Sequence, residues 1–346
     1  MKPIYCLILL AIIAASCASA TDIPTSTATI VPTPASSVDP CLTTAKTYKP
    51  GSLPPARIAF HCYTDANRII NIYVFDTTTG RITNFTNYAS LNLDIQWSPD
   101  GKKIAFTSTR NDGAGIYVMN TDGGQATWLA EHREPRWSPD GKRIAFVRDY
   151  GSYDEVYVMN ADGSQQIRLT NNSTSKYHLV WSPDGKQIAF NSYPGGIYVM
   201  NSDGSQQTNL TDHPSDDGDP AWSPDGKHIL FLSTRDDTLG IYKMKVDGSQ
   251  VTKLTSVSHF NGFFAWSPDS RQIVIACTDK VYIMNADGTQ LRPLVNERSN
   301  HLSWSPDGEY LTSDFGQLYI VEVGDGQLTQ LTDGPAFKDY PAWSPK

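Results

Sequence analysis

Basic residues are outnumbered in this sequence, 28 Lys and Arg against 36 Asp and Glu, which leaves a formal net charge of -8. A surface that neutralises phosphates needs a basic stripe, so nucleic acid is excluded as a partner. Long apolar runs are also lacking. The one present, Ile4 to Ala15, is shorter than the ~20 residues a spanning helix needs. After residue 58 no segment carries the helical period, which argues against an α/β chain. Catalytic motifs are missing as well: there is no Gly-x-Ser-x-Gly elbow, no His-Glu-x-x-His, no phosphate loop and no dinucleotide fingerprint. The expectation is a binding protein and not an enzyme. Cysteine is sparse, at five residues.

Residues 1–20 carry one basic residue (Lys2), the apolar run and then small residues, the pattern of a secretory signal peptide. Two processing readings compete. Ala14-Ala15-Ser16-Cys17 resembles a lipobox in which Cys17 is lipidated, and Ala18-Ser19-Ala20 suits ordinary signal cleavage. Residues 21–55 are rich in Thr, Ser, Ala and Pro, too poor in apolar side chains to fold, and read as an extended tether. A lipid at Cys17 followed by a tether would hold a folded domain near a membrane, so an exported protein of the cell envelope is expected. In an oxidising compartment Cys41, Cys62 and Cys277 remain, from which one pair can form. Cys62 and Cys277 occupy the same position of two repeats, which favours a Cys41 to Cys62 bridge. Three buried free thiols are the alternative.

From residue 58 the chain repeats a unit of ~40 residues. The marker Trp-Ser-Pro-Asp-Gly or a relative begins at Trp97, Trp137, Trp181, Trp222, Trp266 and Trp304, and a shortened one at Trp343. A β-rich triplet such as Ile104-Ala105-Phe106 follows, then a Tyr-bearing strand (Tyr117, Tyr157, Tyr198, Tyr242, Tyr282, Tyr319), then a short strand ending near Leu-Thr. Four short strands punctuated by turn residues make one propeller blade. In Ser-Pro-Asp-Gly, Pro presets φ, Asp bonds back to the backbone and Gly supplies the exit. The first unit lacks a Trp-Ser-Pro strand, and Pro341-Ala342-Trp343-Ser344-Pro345 is that strand with nothing after it. Pairing the two ends removes exposed edges, so a closed all-β propeller of seven four-stranded blades over 56–346 is expected.

The WSPDGKxIAF, IYVMN and DGSxxxxLT blocks resemble the WD-like repeats of the TolB-like propeller family, over about residues 56 to 346. The resemblance implies a propeller in the cell envelope. Two features depart from the family pattern: the α/β domain that precedes the propeller in TolB itself is replaced by signal and tether, and seven blades are counted where the family's propellers are usually described as six-bladed.

Asp100, Asp140, Asp184, Asp225, Asp269 and Asp307 recur once per unit and are turn scaffold, since a catalytic acid is needed only once. The fixed Trp and Tyr stripe reads as interblade core. The interblade loops vary instead, and variable loops on a rigid scaffold carry binding residues. His132, His178, His213, His259 and His301 fall in or beside them. Three residues before each marker Trp stand Asp94, Glu134, His178, Asp219, Phe263, His301 and Tyr340, where the innermost strand enters the channel mouth. That set suits a peptide, a small polar ligand or a divalent cation, and no close ligand spacing such as HxxxH specifies the cation. Asp216-Asp217-Gly218-Asp219 lacks the spacing of a calcium loop and reads as a polar surface loop. The expectation is a monomeric envelope module that binds a protein or peptide, with no resident cofactor. The competing reading is a carbohydrate- or metal-dependent binding protein or enzyme at the same mouth, as in some seven-bladed lyases and lactonases.

Overall fold

The computed structural model describes residues 39–63, 69–87, 90–111, 113–122, 124–257 and 260–345; the signal segment with Cys17, most of the tether and His259 lie outside them. The described strands form seven four-stranded antiparallel sheets in a ring, a seven-bladed propeller. Blade 2 shows the plan, running outward from the channel as Asn92–Trp97, Lys103–Ser108, Gly115–Asn120 and Thr127–Glu131. Blades 3 to 7 repeat it in chain order. Blade 1 takes its innermost strand, Phe337–Trp343, from the far end of the chain and its other three from Arg57–Tyr63, Asn71–Asp76 and Ile82–Asn84. Ile58 pairs with Trp343 and Ala59 with Ala342, which closes the ring.

The sequence period explains the core. Within a blade the Phe of the second strand lies opposite the Tyr of the third, so Phe106 stacks on Tyr117 at 5.8 Å and Phe190 on Tyr198 at 5.8 Å. Phe60, Phe106, Phe146, Phe190 and Phe231 are fully buried, each contributing roughly 2–3 kcal/mol of apolar burial. Three of the seven marker Trp side chains tie adjacent blades through their indole N–H. The indole N–H of Trp97 donates to the Ala342 carbonyl (2.9 Å), that of Trp181 to Arg136 (3.0 Å) and that of Trp266 to Ala221 (3.1 Å).

The turns behave as their residues dictate. Ser138 donates its hydroxyl to Asp140 (2.6 Å), and Asp140 accepts the backbone N–H of Lys142 (3.1 Å). The same pair of bonds recurs at Asp100, Asp184, Asp225, Asp269 and Asp307. At the turn between the third and fourth strands of blade 4, Gly204 has φ +87°, and a Cβ there would stand 2.9 Å from the Leu169 carbonyl of the preceding blade, so glycine is required. Strand alternation places both kinds of turn on one face, the turn face, and the interblade loops on the other, the mouth face.

The compact unit runs from Val38 to Lys346, so the stretch expected to be tether up to Pro55 joins the packed domain earlier. The reason lies in a few apolar residues: Cys41, Ala45, Tyr48 and Leu53 are buried, and Cys41, Tyr48 and Leu53 cluster with Phe75 of blade 1 and Leu318 and Leu331 of blade 7. This strap crosses the seam between the two blades. Ala45 donates its N–H to Leu331, Asp333 donates to Thr43, and the Tyr73 hydroxyl donates to Asp39 (2.8 Å). Cys41 and Cys62 are joined by a disulfide with their Cα atoms 6.0 Å apart, and Cys277 is a buried thiol pushed up to about 11 by its burial. Among the described residues no helix is long and apolar enough to cross a membrane.

Candidate functional site at the channel mouth

Each innermost strand breaks its ladder just before the marker. Register shifts fall between Leu93 and Gln96, Arg133 and Arg136, Tyr177 and Val180, Gly218 and Ala221, and Phe260 and Phe263, and in blade 1 opposite Ala59 and His61. These are β-bulges, which re-aim a side chain out of the regular pleat. The bulged residue adopts the left-handed region: φ is +55° at Asp94, +59° at Glu134, +54° at His178, +55° at Asp219 and +50° at Tyr340. Blade 6 puts Gly262 (+93°) next to Phe263, and blade 7 has no bulge at His301. Asp and His tolerate this conformation, but Glu and Tyr adopt it at a cost of roughly 1–2 kcal/mol.

The seven side chains fall into three linked groups. On blades 2 and 3, the Thr107 hydroxyl donates to Asp94 (2.7 Å) and accepts the Glu134 N–H (3.3 Å). Arg133 bridges Glu134 (2.8 Å) and Asp154 (2.9 Å). Across blades 4 and 5, His178 Nδ1 pairs with Asp219, whose own N–H donates to Asn191 Oδ1 (3.0 Å). The surrounding protein opposes charge on His178, yet Asp219 and, more weakly, Glu134 outweigh that and hold the imidazolium above its ordinary range. The His178 side chain is 46% exposed, so water reaches it within the walled channel.

The third group spans blades 6, 7 and 1. His301 Nδ1 lies 3.0 Å from Asp314, a fully buried carboxylate that also accepts the N–H groups of Asn300 (2.8 Å) and His301 (3.0 Å). The His301 ring stacks on Tyr340 with centroids 3.5 Å apart, Phe263 meets it edge-on at 6.5 Å, and His61 lies 5.1 Å from Tyr340. Burial and the carboxylates Asp339, Asp94 and Asp314 push the Tyr340 hydroxyl up to about 12. His132 and His213 stand apart: His132 is drawn below its ordinary range by burial and Arg148, and exposed His213 bonds Ser215 (2.8 Å). Asp217 of the acidic loop is buried and paired with Arg235 at 3.0 Å.

Four contributors escaped the sequence reading: His61, Thr107, Asn191 and Asp314. They occupy one repeat position, directly after the Ile-Ala-Phe triplet or its equivalent, where other blades carry Val147, Leu232 and Ala276. That polar-for-apolar exchange was the available signal. A second was Lys176 and Lys338, both fully buried and both five residues before a marker Trp. Lys176 pairs with Glu155 at 3.3 Å. Burial pushes Glu155 up, but bonds from Thr170, Arg168 and Lys176 outweigh it and hold the carboxyl below its usual range. Lys338 instead donates to Gln317 Oε1 (3.0 Å) and the carbonyls of Asp333 (3.0 Å) and Ala336 (3.2 Å), and burial pulls it down to about 8. Among the described residues no three His, Cys, Asp or Glu side chains are grouped to hold a metal ion.

A family profile described as TolB beta propeller domain matches residues 130–197 and 194–311, together more than half of the chain. The chain belongs to the TolB beta-propeller domain family. Among curated proteins, this TolB-type propeller is 40% identical over 62 residues to "Uncharacterized peptidase YuxL" of Bacillus subtilis, covering 18% of the chain and 9% of that protein. It is 38% identical over 53 residues to "Tol-Pal system protein TolB" of Francisella tularensis, covering 15% of the chain and 12% of that protein. The chain thus matches about a tenth of the length of these relatives, a shared repeat segment. Among solved structures, an oligogalacturonate lyase in complex with manganese shares the fold with a TM-score of 0.63 at 13% identity, covering 85% of this chain and 97% of that one.

These relatives correct the expectation that the chain is not an enzyme. The same repeat occurs in a protein named as a peptidase and the same fold in a lyase. A missing catalytic motif therefore does not separate this propeller from enzymes, because blade repeats record scaffold and leave the chemistry to residues that no short motif describes.

Proposed function

We propose that this protein is a recognition module of the cell envelope that takes a protein or peptide partner at the channel mouth. The observation that carries it is the set of acid, imidazole and aromatic side chains that five bulges present around one opening. A bulge re-aims its side chain, and the side chains re-aimed here differ in chemistry from blade to blade. The TolB relative, named as part of a Tol-Pal system, supports a protein partner, and the signal segment supports export. The module acts as a monomer, with Cys17 as its lipid anchor; a Cys17→Ser variant should leave the detergent phase, and unchanged partitioning would rule the anchor out.

Changing His178, Asp219 and His301 together to Asn keeps residues that tolerate the left-handed backbone. This variant should lose at least about tenfold in capture of whatever protein the wild type retains from envelope extract. Ser202→Ala with Gln250→Asn and Gln290→Asn on the turn face should leave capture unchanged. Equal loss from both triples would overturn the assignment.

A second reading rests on the two His-carboxylate pairs, His178 with Asp219 and His301 with Asp314, because a carboxylate on Nδ1 leaves Nε2 as a base toward the channel. It makes the mouth an enzyme site for a small polar or carbohydrate substrate. Turnover of oligosaccharide or peptide substrates that is lost in the mouth triple would favour it, with metal analysis of the purified protein deciding whether a cation takes part.

A further inference from the structure

Blades 2 and 5 each lay an arginine over the aromatic pair of their second and third strands and then satisfy it. Arg110 stands 4.5 Å from the Tyr117 ring and donates to Ser108 (3.0 Å) and Asn92 (3.1 Å). Arg235 stands 5.0 Å from the Tyr242 ring and donates to Ser233 (2.9 Å) and Asp217 (3.0 Å). Blade 3 keeps the stacked cation and loses both acceptors. Its Arg148 occupies the position where those blades carry Ser108 and Ser233, and His132 stands where they carry Asn92 and Asp217, five residues before the marker Trp. Burial and Arg148 itself hold that imidazole below its ordinary range, so it supplies no counter-charge.

Arg148 is half-buried, 5.5 Å from the Tyr150 ring and 5.5 Å from the Tyr157 ring, and the two tyrosine hydroxyls are bonded to each other (2.5 Å). Tyr150 is 39% exposed, stacks on Tyr153 at 5.3 Å and has Arg168 5.2 Å from its ring. Among the described residues the Arg148 guanidinium makes no hydrogen bond and no ion pair. The neighbouring carboxylates are engaged elsewhere: Glu155 with Arg168 (3.0 Å) and Lys176 (3.3 Å), Asp154 with Arg133 (2.9 Å), and Asp149 Oδ1 with the Gly151 N–H (2.5 Å).

A guanidinium packed on tyrosine rings with its N–H donors unused is a fork for an oxyanion. Asp149, Asp154 and Glu155 offset Arg133, Arg168 and Lys176, so the net charge at the fork is that of one guanidinium, matched to a monoanion and not to a phosphate dianion. The exposed Tyr150–Tyr153 stack offers an apolar face to the body that carries the anion. We propose that Arg148 and the Tyr150–Tyr153 stack bind a carboxylate borne on an apolar or aromatic group, supplied by an aromatic acid or by the C-terminus of a peptide. None of these residues belongs to the seven mouth positions, so the site stands or falls apart from the proposed function.

Ligand-observed NMR titrations of the full chain with N-acetylphenylalanine, its neutral amide and phenyl phosphate test the site. The acid should bind about tenfold more tightly than the amide, and more tightly than phenyl phosphate. Arg148→Ser, which matches the residue of blades 2, 4 and 5, should abolish that preference without lowering the thermal midpoint. If the midpoint falls, Arg148→Gln takes its place. Lys142→Ser on the turn face removes the same charge and should leave the preference intact. Arg148-dependent binding of Gly-Gly-Phe as tight as that of the acid would identify a peptide terminus as the source, and exclusion of the tripeptide a small aromatic acid. Equal binding of acid and amide would overturn the carboxylate, and tighter Arg148-dependent binding of phenyl phosphate would overturn the monoanion. No Arg148-dependent binding at about 10 mM ligand would overturn the site itself.

Discussion

The two faces of the ring are built from the same repeats and treat them oppositely. On the turn face Asp100, Asp140, Asp184, Asp225, Asp269 and Asp307 make the same bonds in six blades. On the mouth face the position three residues before each marker Trp carries an acid, an imidazole or an aromatic group that changes from blade to blade. Repetition therefore reports what every blade needs in order to fold, and departure from repetition reports what the ring as a whole needs only once.

That contrast fails if turn-face changes alter binding or if mouth changes dominate stability. The largest effect expected is from deleting Ala342 to Lys346, which removes the pairs Ile58 with Trp343 and Ala59 with Ala342 and the acceptor of the Trp97 indole. A loss above about 3–5 kcal/mol should appear as a collapse of the thermal midpoint. An unchanged midpoint would mean that the ring is held shut elsewhere.

Next in size is a residue that lies on the mouth face but belongs to the scaffold. Glu155→Ala strands Lys176 without its counter-charge and should cost about 3–5 kcal/mol in denaturant melts. A Glu155→Leu, Lys176→Met double variant should regain most of it. Because the folded Glu155 carboxyl lies below its ordinary range, its contribution is present at neutral pH and is lost as pH falls through that lowered value. Lys338 tests the opposite sign. With its folded value near 8, the unfolded chain binds more protons above that pH, so stability rises between about 8 and lysine's ordinary ~10.4. Lys338→Met should lack this rise in parallel melts across that window.

Smaller still, Asp140→Ala should cost about 1 kcal/mol through its two turn bonds and leave partner capture untouched. Least of all is the difference between two truncations at one bulge. His178→Ala and His178→Gly both lose the pair with Asp219, yet the glycine form should be the more stable by about 1 kcal/mol, since φ is +54° there. Equal stability would show that the bulge carries no strain.

The blade count, ring closure and turn chemistry were legible because each rests on local residues repeated at a fixed spacing: Trp-Ser-Pro-Asp-Gly names its own turn. The seven mouth positions were legible by counting back from Trp, but their grouping was not. That His178 meets Asp219 and His301 stacks on Tyr340 depends on bulges and on neighbouring blades, neither of which a single repeat encodes. Asp314 and His61 were hidden behind the Ile-Ala-Phe triplet, where the eye expects core. The strap was hidden because its burial rests on Cys41, Ala45, Tyr48 and Leu53 scattered through a proline-rich stretch that looks unable to fold.

The borrowed strand of blade 1 also sets an order in time. A chain made from its N-terminus completes Arg57–Tyr63 early, but the partner of that strand, Phe337–Trp343, is synthesised only after the other six blades. Until it arrives, blade 1 presents an open edge and the channel has no closed wall. Because the entropy of closing a loop grows only with the logarithm of its length, waiting for the six intervening blades adds little to the cost of shutting the ring. A chain stalled or clipped before Phe337 would keep that edge exposed, the kind of surface that quality-control proteases and other unpaired strands recognise.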